Sequence, residues 1–285
     1  MKALDLYRQL DKDFVTPQMS DINWFASMAD FEGYVSDDFK QRNMGVLCDF
    51  ATEVNRVYTA VFPSDAVLQR ILDDGARDAM LFVHHPLVWD LSKDTNRAWY
   101  PINSSLLEEL KGRGISIFNY HVPLDNFSEY STSHMLAEAL GIKHEKPFAP
   151  YGGVLCGVIG KAACKYVYEL KVHYSKIVRH DSSLYIYGDE ALVDGRVAVV
   201  AGGGNDVEVL QHVAAEGINT LLVGITVVNA ISQPAHDFAK AKGINLLGGT
   251  HYSSEKYACM AMCEYFEKLG LPCEFIPDIP CLDDL

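Results

Sequence analysis

Apolar residues along this chain fall into short runs, separated by helix-like patterns and polar turns. The run from Asn55 to Phe62 is β-branched and aromatic, which predicts a strand. Pro63-Ser64-Asp65 then caps a helix with apolar positions Ala66, Val67, Leu68, Ile71 and Leu72. Gly75-Ala76 turns the chain into a second strand, Met80 to Val83. Strand, helix and strand in that order imply parallel pairing. A helix starting at Asn103-Ser104-Ser105 and carrying Leu106, Leu107 and Leu110 leads past Gly112 and Gly114 to a third strand, Ile115 to Tyr120. Residues 3–10 and 20–30 read as helical, with Asp21 as an N-cap, and Asp94 to Tyr100 reads as a polar loop.

The second half repeats the theme. Ser133 to Leu140 is a helix closed by Gly141. Pro147 to Gly153 reads as a loop, the best boundary between a half at 1–150 and a half at 151–285. Val154 to Gly160, Lys171 to Val178 and Val197 to Val200 are strand candidates. Helices at Val207–Ala215 and Ala235–Lys242 alternate with strands near Gly217–Gly224 and Gly243–Gly248, and a last helix runs from about Ser253 to Leu269. The whole is an α/β chain with mainly parallel or mixed sheets.

Composition changes this picture little. Hydrophobic residues are 49% and charged residues 22%, ordinary for a globular protein. The formal net charge of -14 argues against a nucleic-acid groove, where phosphates must be neutralised. Met1 to Arg8 leads into a charged helix, and no run is long enough to span a bilayer. Seven scattered cysteines without a C-x-x-C pair fit a reduced, cytoplasmic chain. Cys259 and Cys263 share a helix face, but their neighbours read as core packing.

Chemistry gathers where strands end, and the carboxyl ends of strands are where α/β proteins hold ligands. Three segments stand out: His84-His85, His121 with Asp125, and His251 with Glu255. In the last two a histidine and a carboxylate are four apart, one helical turn, so both can face one point. A lone strand-end histidine is ordinarily a hydrogen-bonded cap; three such segments point to metal. Four histidines and two carboxylates exceed one tetrahedral ion and suit two ions about 3.5–4 Å apart sharing a carboxylate and holding a hydroxide. Imidazole and carboxylate accept Zn, Mn, Fe, Co or Ni. His134, His144, His173, His180, His212 and His236 read as structural or solvated. Gly202-Gly203-Gly204 follows a strand and precedes a helix, an arrangement that can bind phosphate, but it has neither the G-x-G-x-x-G spacing nor a P-loop Lys-Ser/Thr, so a tight turn is the preferred reading.

Three stretches, Val83-His84-His85-Pro86-Leu87, Tyr120-His121-Val122-Pro123-Leu124-Asp125-Asn126 and Gly248-Gly249-Thr250-His251-Tyr252-Ser253-Ser254-Glu255, together with the glycine turn after Val197, resemble the NIF-three-like family, the YbgI/YqfO group often labelled "GTP cyclohydrolase I type 2 homologue". The resemblance runs roughly from Val46 to Pro280. It implies two interlinked three-layer α/β halves with a dinuclear site in the cleft between them, and two divalent ions per chain (Zn, Fe, Mn, Ni, Co or Mg). It assigns His85 and Asp125 to one ion, His84 and His251 to the other, and Glu255 as the bridge. His121 falls beside the metals, either supporting the ligands from behind or transferring a proton. A toroidal homohexamer is also implied. Two departures stand out. Val223-Gly224-Ile225-Thr226 carries no acid where the family tends to have one, and the segment after Asp125 lacks a glycine-asparagine turn. Two functions are compatible with these residues: a metal-dependent hydrolase of a small, anionic or nucleotide-like substrate, and a non-enzymatic metal-binding assembly or interaction protein.

Overall fold

In the computed structural model, which describes residues 1–94 and 98–285, the chain divides into two units. The first is Met1–Leu124 with Cys259–Asp278; the second is Asp125–Ala258 with Ile279–Leu285. The division therefore falls at Asp125 and again inside the long helix His251–Lys268, away from the turn at 152–153.

The first unit holds a five-stranded sheet in the order Gly45–Cys48, Ile115–Asn119, Ala79–Val83, Arg56–Ala60, Cys273–Phe275. Only the Gly45–Cys48 edge is antiparallel. The predicted parallel crossovers form as expected, with Ser64 Oγ accepting from Val67 N at the start of helix Asp65–Asp73, and Asn103 Oδ1 accepting from Ser105 N before helix Ser104–Gly112. The central strand is buried on both faces and alternates between them. Leu81 and Val83 pack with Leu68, Ile71 and Leu107 under the two helices. Phe82 faces the other way, against Phe118, Tyr120 and Phe266 at ring separations of 6.1, 6.1 and 5.6 Å. The register pairs Ala60 with Val83 and Val83 with Asn119, so three parallel strands end level.

The second unit holds a six-stranded sheet in the order Lys143–Tyr151, Val154–Lys161, Arg196–Val200, Thr220–Val223, Asn245–Gly248, Ser183–Tyr185. The strands from Arg196, Thr220 and Asn245 are parallel to one another; the flanking pairings are antiparallel. Helices cover both faces. Val209, Leu210, Ala235 and Ala239 pack on one side; Leu136, Leu170, Tyr174 and Val178 pack on the other. Among the described residues no helix is long and apolar enough to cross a membrane.

Several expectations need correction. Lys171 to Val178 is part of the helix Val167–Val178. Its aromatic and β-branched residues imitate a strand, but the buried set is Val167, Leu170, Tyr174 and Val178, which is helical spacing. Residues 147–151 belong to a strand. Pro147 and Pro150 are tolerated because that strand is the sheet edge, and the turn lies at Gly152-Gly153 with φ of 55° and 84°. The 20–30 stretch is two 3₁₀ segments, Trp24–Ser27 and Ala29–Tyr34, and the cap of the first is Asn23, not Asp21. Within the expected loop Asp94 to Tyr100, Trp99–Tyr100 pairs with Val88–Trp89, while residues 95–97 lie outside the described residues. The last helix starts at His251, two residues early, because Thr250 Oγ1 accepts from Ser253 N and acts as its cap.

A polar tie reinforces the first unit. Asp11 accepts from Arg42 Nη2 at 2.7 Å and from Tyr120 Oη at 2.7 Å. Burial works to raise the Asp11 pKa, but the Arg42 and Tyr120 contacts outweigh it and hold the carboxyl below its usual range.

Two outcomes follow. Phe82→Ala removes a ring from a close-packed face and should cost about 3–5 kcal/mol in urea unfolding; a loss under about 1 kcal/mol would count against that packing. Because the Asp11 pKa is depressed by folding, its contribution is present above the unfolded value of about 3.9 and is lost as pH falls through the folded value. The stability gap between wild type and Asp11→Asn should therefore be open at about pH 7 and narrow as pH falls below the unfolded value of about 3.9. An equal gap at both ends would contradict the assignment.

Candidate functional site

His84 and His85 sit immediately past Val83, and His121 sits two residues past Asn119, so level parallel strands deliver all three. The backbone N–H groups of His84 and His85 extend the ladder, donating to the carbonyls of Ala60 (3.3 Å) and Val61 (3.0 Å). The three imidazoles are 0%, 2% and 8% exposed, and one nitrogen from each lies within 4.8 Å of the others. His84 Nδ1 is 3.0 Å from the Tyr120 carbonyl. A carbonyl only accepts, so Nδ1 carries the proton and Nε2 carries the lone pair. Asn119 Nδ2 donates to the His84 carbonyl at 2.6 Å and fixes the turn. Aromatic rings hold His85: Phe62 stacks on it at 5.1 Å, and Trp24 and Trp99 flank it at 6.0 and 5.0 Å.

His121 has a partner that the sequence reading assigned to another role. Asp21 Oδ1 lies 2.8 Å from His121 Nδ1 and also accepts from Trp24 Nε1 at 3.0 Å, while Asp21 Oδ2 accepts from Val122 N at 3.1 Å. Burial works to raise the Asp21 pKa, but the charge and hydrogen bond of His121 and two backbone N–H donors outweigh it, so the carboxyl is held below its usual range. Asp21 is thus an anion that fixes the proton on Nδ1 and directs Nε2 outward, the arrangement that orients metal-ligating and proton-transferring histidines alike. No local pattern could have revealed the pair, because its members are 100 residues apart.

In the second unit, His251 and Glu255 lie on the first turn of their helix, with His251 Nε2 3.2 Å from Glu255 Oε1 and both side chains buried. Asp284, on a terminal 3₁₀ turn, accepts His251 N–H through Oδ2 at 2.8 Å, while its carbonyl accepts from Thr226 N and Val227 N. This carboxylate at the helix start was also not foreseen. Thr250, one residue before His251, is buried at φ 66°, a left-handed conformation rare for a β-branched residue.

The glycine turn now has a structural role. Gly202 has φ 72°, its N–H donates to Ser254 Oγ at 2.9 Å, and its carbonyl accepts from Gly224 N and Ile225 N. A Cβ on Gly202 would lie 2.2 Å from Glu255 Oε1 and 3.3 Å from His251 Cδ2. Gly224 packs as closely, with Ser254 Oγ at 2.5 Å from a hypothetical Cβ. The turn is therefore a cradle that lets two loops close on the His251–Glu255 pair, with the Gly202 amide already engaged.

Asp125 is buried and accepts from Thr132 Oγ1 at 2.7 Å, which steadies it without the glycine-asparagine turn. His236 is structural, bonded to Tyr187 Oη and the Thr226 carbonyl. Cys259 and Cys263 do not act as a pair: Cys259 Sγ donates to the Ala60 carbonyl, and Cys263 Sγ lies 3.1 Å from Cys273 Sγ. The donor chemistry within each unit, imidazoles in one and imidazole with carboxylate in the other, fits borderline divalent ions. These are buried groups that could hold metal.

The family model described as Duf34/NIF3 (NGG1p interacting factor 3) matches residues 22–279. A GTP cyclohydrolase 1 type 2 homolog of Pyrococcus horikoshii is 27% identical over 241 residues, covering 83% of this chain and 89% of its own length. A protein of the same description from Borreliella burgdorferi is 24% identical over 215 residues, covering 75% and 79%. Among solved structures, protein ybgI matches with a TM-score of 0.74 at 22% identity, covering 98% of this chain and 99% of that one. TTHA1606 from Thermus thermophilus matches at 0.69 and 20% identity, covering 99% and 100%. The two structures establish the mixed α/β fold.

The cradle makes a contrast testable in adjacent residues. Gly202→Ala should weaken metal binding by about tenfold or more, because Glu255 must move. Gly203→Ala should leave it unchanged, since a Cβ there meets only Ile225 Cδ1 at 3.9 Å. Calorimetric titration with Zn²⁺ reads both, and equal effects would refute the cradle.

Proposed function

The chain belongs to the Duf34/NIF3 family, and we propose that it is a metal-dependent hydrolase acting on a small, anionic or nucleotide-like molecule. The observation that carries this reading is the buried group His84, His85 and His121, with His121 oriented by Asp21. The proposed metal ligands are His84, His85, Asp125, His251 and Glu255, holding two divalent ions per chain. Bound there, such ions would supply Lewis acidity and a water acidic enough to attack near neutral pH. His84 offers Nε2 because Tyr120 occupies Nδ1. His121 moves a proton through Nε2, and Asp21 stabilises the imidazolium formed when it does. Phe62, Trp24 and Trp99 keep His85 in place and limit water around it.

The name carried by the relatives directs the first substrate test to GTP and its ring-opening hydrolysis. The family resemblance also supports a homohexamer, which light scattering of the purified chain checks. Burial of the donors equally suits a protein that holds metal without turnover, so activity is the discriminating measurement.

Protein purified without chelators should contain about two divalent ions per chain, and elemental analysis finding well under one, not restored by added metal, would end the metal reading. Asp21→Asn should lower kcat by about 10²–10⁴-fold with metal content retained. No turnover by the loaded wild type across GTP, phosphoesters, amides and cyclic amidines would favour the metal-holding alternative.

A further inference from the structure

We propose that His134, Glu138 and His144 form a further binding site, open to solvent, for one divalent transition-metal ion of the zinc or copper class. The three residues lie in one short stretch of the second unit. His134 and Glu138 are four apart on the helix Thr132–Ala139 and share its face. Gly141, at φ 64°, reverses the chain, and His144 is the second residue of the strand that follows. The turn lays His144 back over the helix.

One donor atom from each residue lies within 4.8 Å of the others. The two imidazole centroids are 4.3 Å apart with their planes at 37°, and His144 Nδ1 is 3.5 Å from Glu138 Oε1. Two imidazoles at this distance beside a carboxylate direct lone pairs at one another unless a proton or a cation lies between them. His134 Nδ1 is buried and has no hydrogen-bond partner among the described residues. Phe127 packs on its ring at 5.7 Å. Burial, then the neighbouring His144 charge, lowers the His134 pKa. Glu129 and Glu138 add a negative field around it.

The side chains of His144 and Glu138 are 31% and 52% exposed, so an ion can enter from solvent and keep a water in its remaining position. Two nitrogens and one oxygen suit Zn²⁺, Cu²⁺ or Ni²⁺; Mg²⁺ and Ca²⁺ prefer oxygen donors. None of these residues belongs to the ligand set proposed above. Sequence alone reads His134 and His144 as structural or solvated, because their pairing depends on the turn at Gly141.

The test titrates the full chain with Zn²⁺ alone, by calorimetry and elemental analysis, in wild type, His144→Ala and Glu138→Gln. Each variant is read as a difference from wild type, so the result is independent of whether the other groups hold metal. His144→Ala should bind one equivalent fewer, and Glu138→Gln should bind the same equivalent about tenfold or more weakly. The unfolding temperature of metal-free protein should be unchanged in Glu138→Gln, which carries the test if His144→Ala is destabilised. In wild type, Cu²⁺ titrated past the capacity of the other groups should broaden the imidazole resonances of His134 and His144. Unaltered Zn²⁺ stoichiometry and affinity in both variants would overturn the site, and so would His134 and His144 resonances that stay sharp.

Discussion

Removing an imidazole from water is costly unless its N–H is bonded and its ring is held, and that cost shapes the first unit. His84 and His121 bond a ring N–H, and His85 is held by its neighbours. A backbone carbonyl takes the His84 proton, a wall of aromatic rings fixes His85, and a buried carboxylate takes the His121 proton. Each device leaves one nitrogen per ring directed toward the others. They work because the three parallel strands end in register, so that residues far apart in sequence arrive at the same level. A slip of one residue would move the strand ends out of level and the imidazoles out of reach of one another.

The second unit solves a different problem, bringing backbone close enough to orient a carboxylate. Gly202 and Gly224 have no Cβ where one would collide with Glu255 or Ser254. Ser254 then ties the loop to the helix by accepting from the Gly202 amide and donating to the His251 carbonyl. Asp284 satisfies the first N–H of that helix, where a negative charge is also favoured by the helix dipole. The strained backbone at Thr250 lies at the point where the chain must leave the strand Asn245–Gly248 and start a helix at His251. Strain of this kind persists where the surroundings over-determine it.

Periodicity and turn residues carried the parallel crossovers, the helix caps at Ser64 and Asn103, and the strand ends that present histidine. Where reading by composition failed, tertiary context had overridden local preference. The helix Val167–Val178 is rich in strand-forming residues, yet it buries one face against a sheet. Prolines at 147 and 150 suggested a loop, yet an edge strand is unpaired along its outer side and tolerates residues without an N–H.

Taken alone, the sequence determined which residue types stand at the ends of buried strands, since hydrophobic runs and the turns that stop them are local properties. It therefore named His84, His85, His121, Asp125, His251 and Glu255. Only the tertiary structure decided what surrounds them: Asp21 against His121, Asp284 against the start of the last helix, Gly202 against Glu255, and His144 against His134 and Glu138. The reason is geometric. A partner brought in by sheet register or by a chain reversal leaves no periodic trace in the sequence, because its spacing is set by the path of the chain through space.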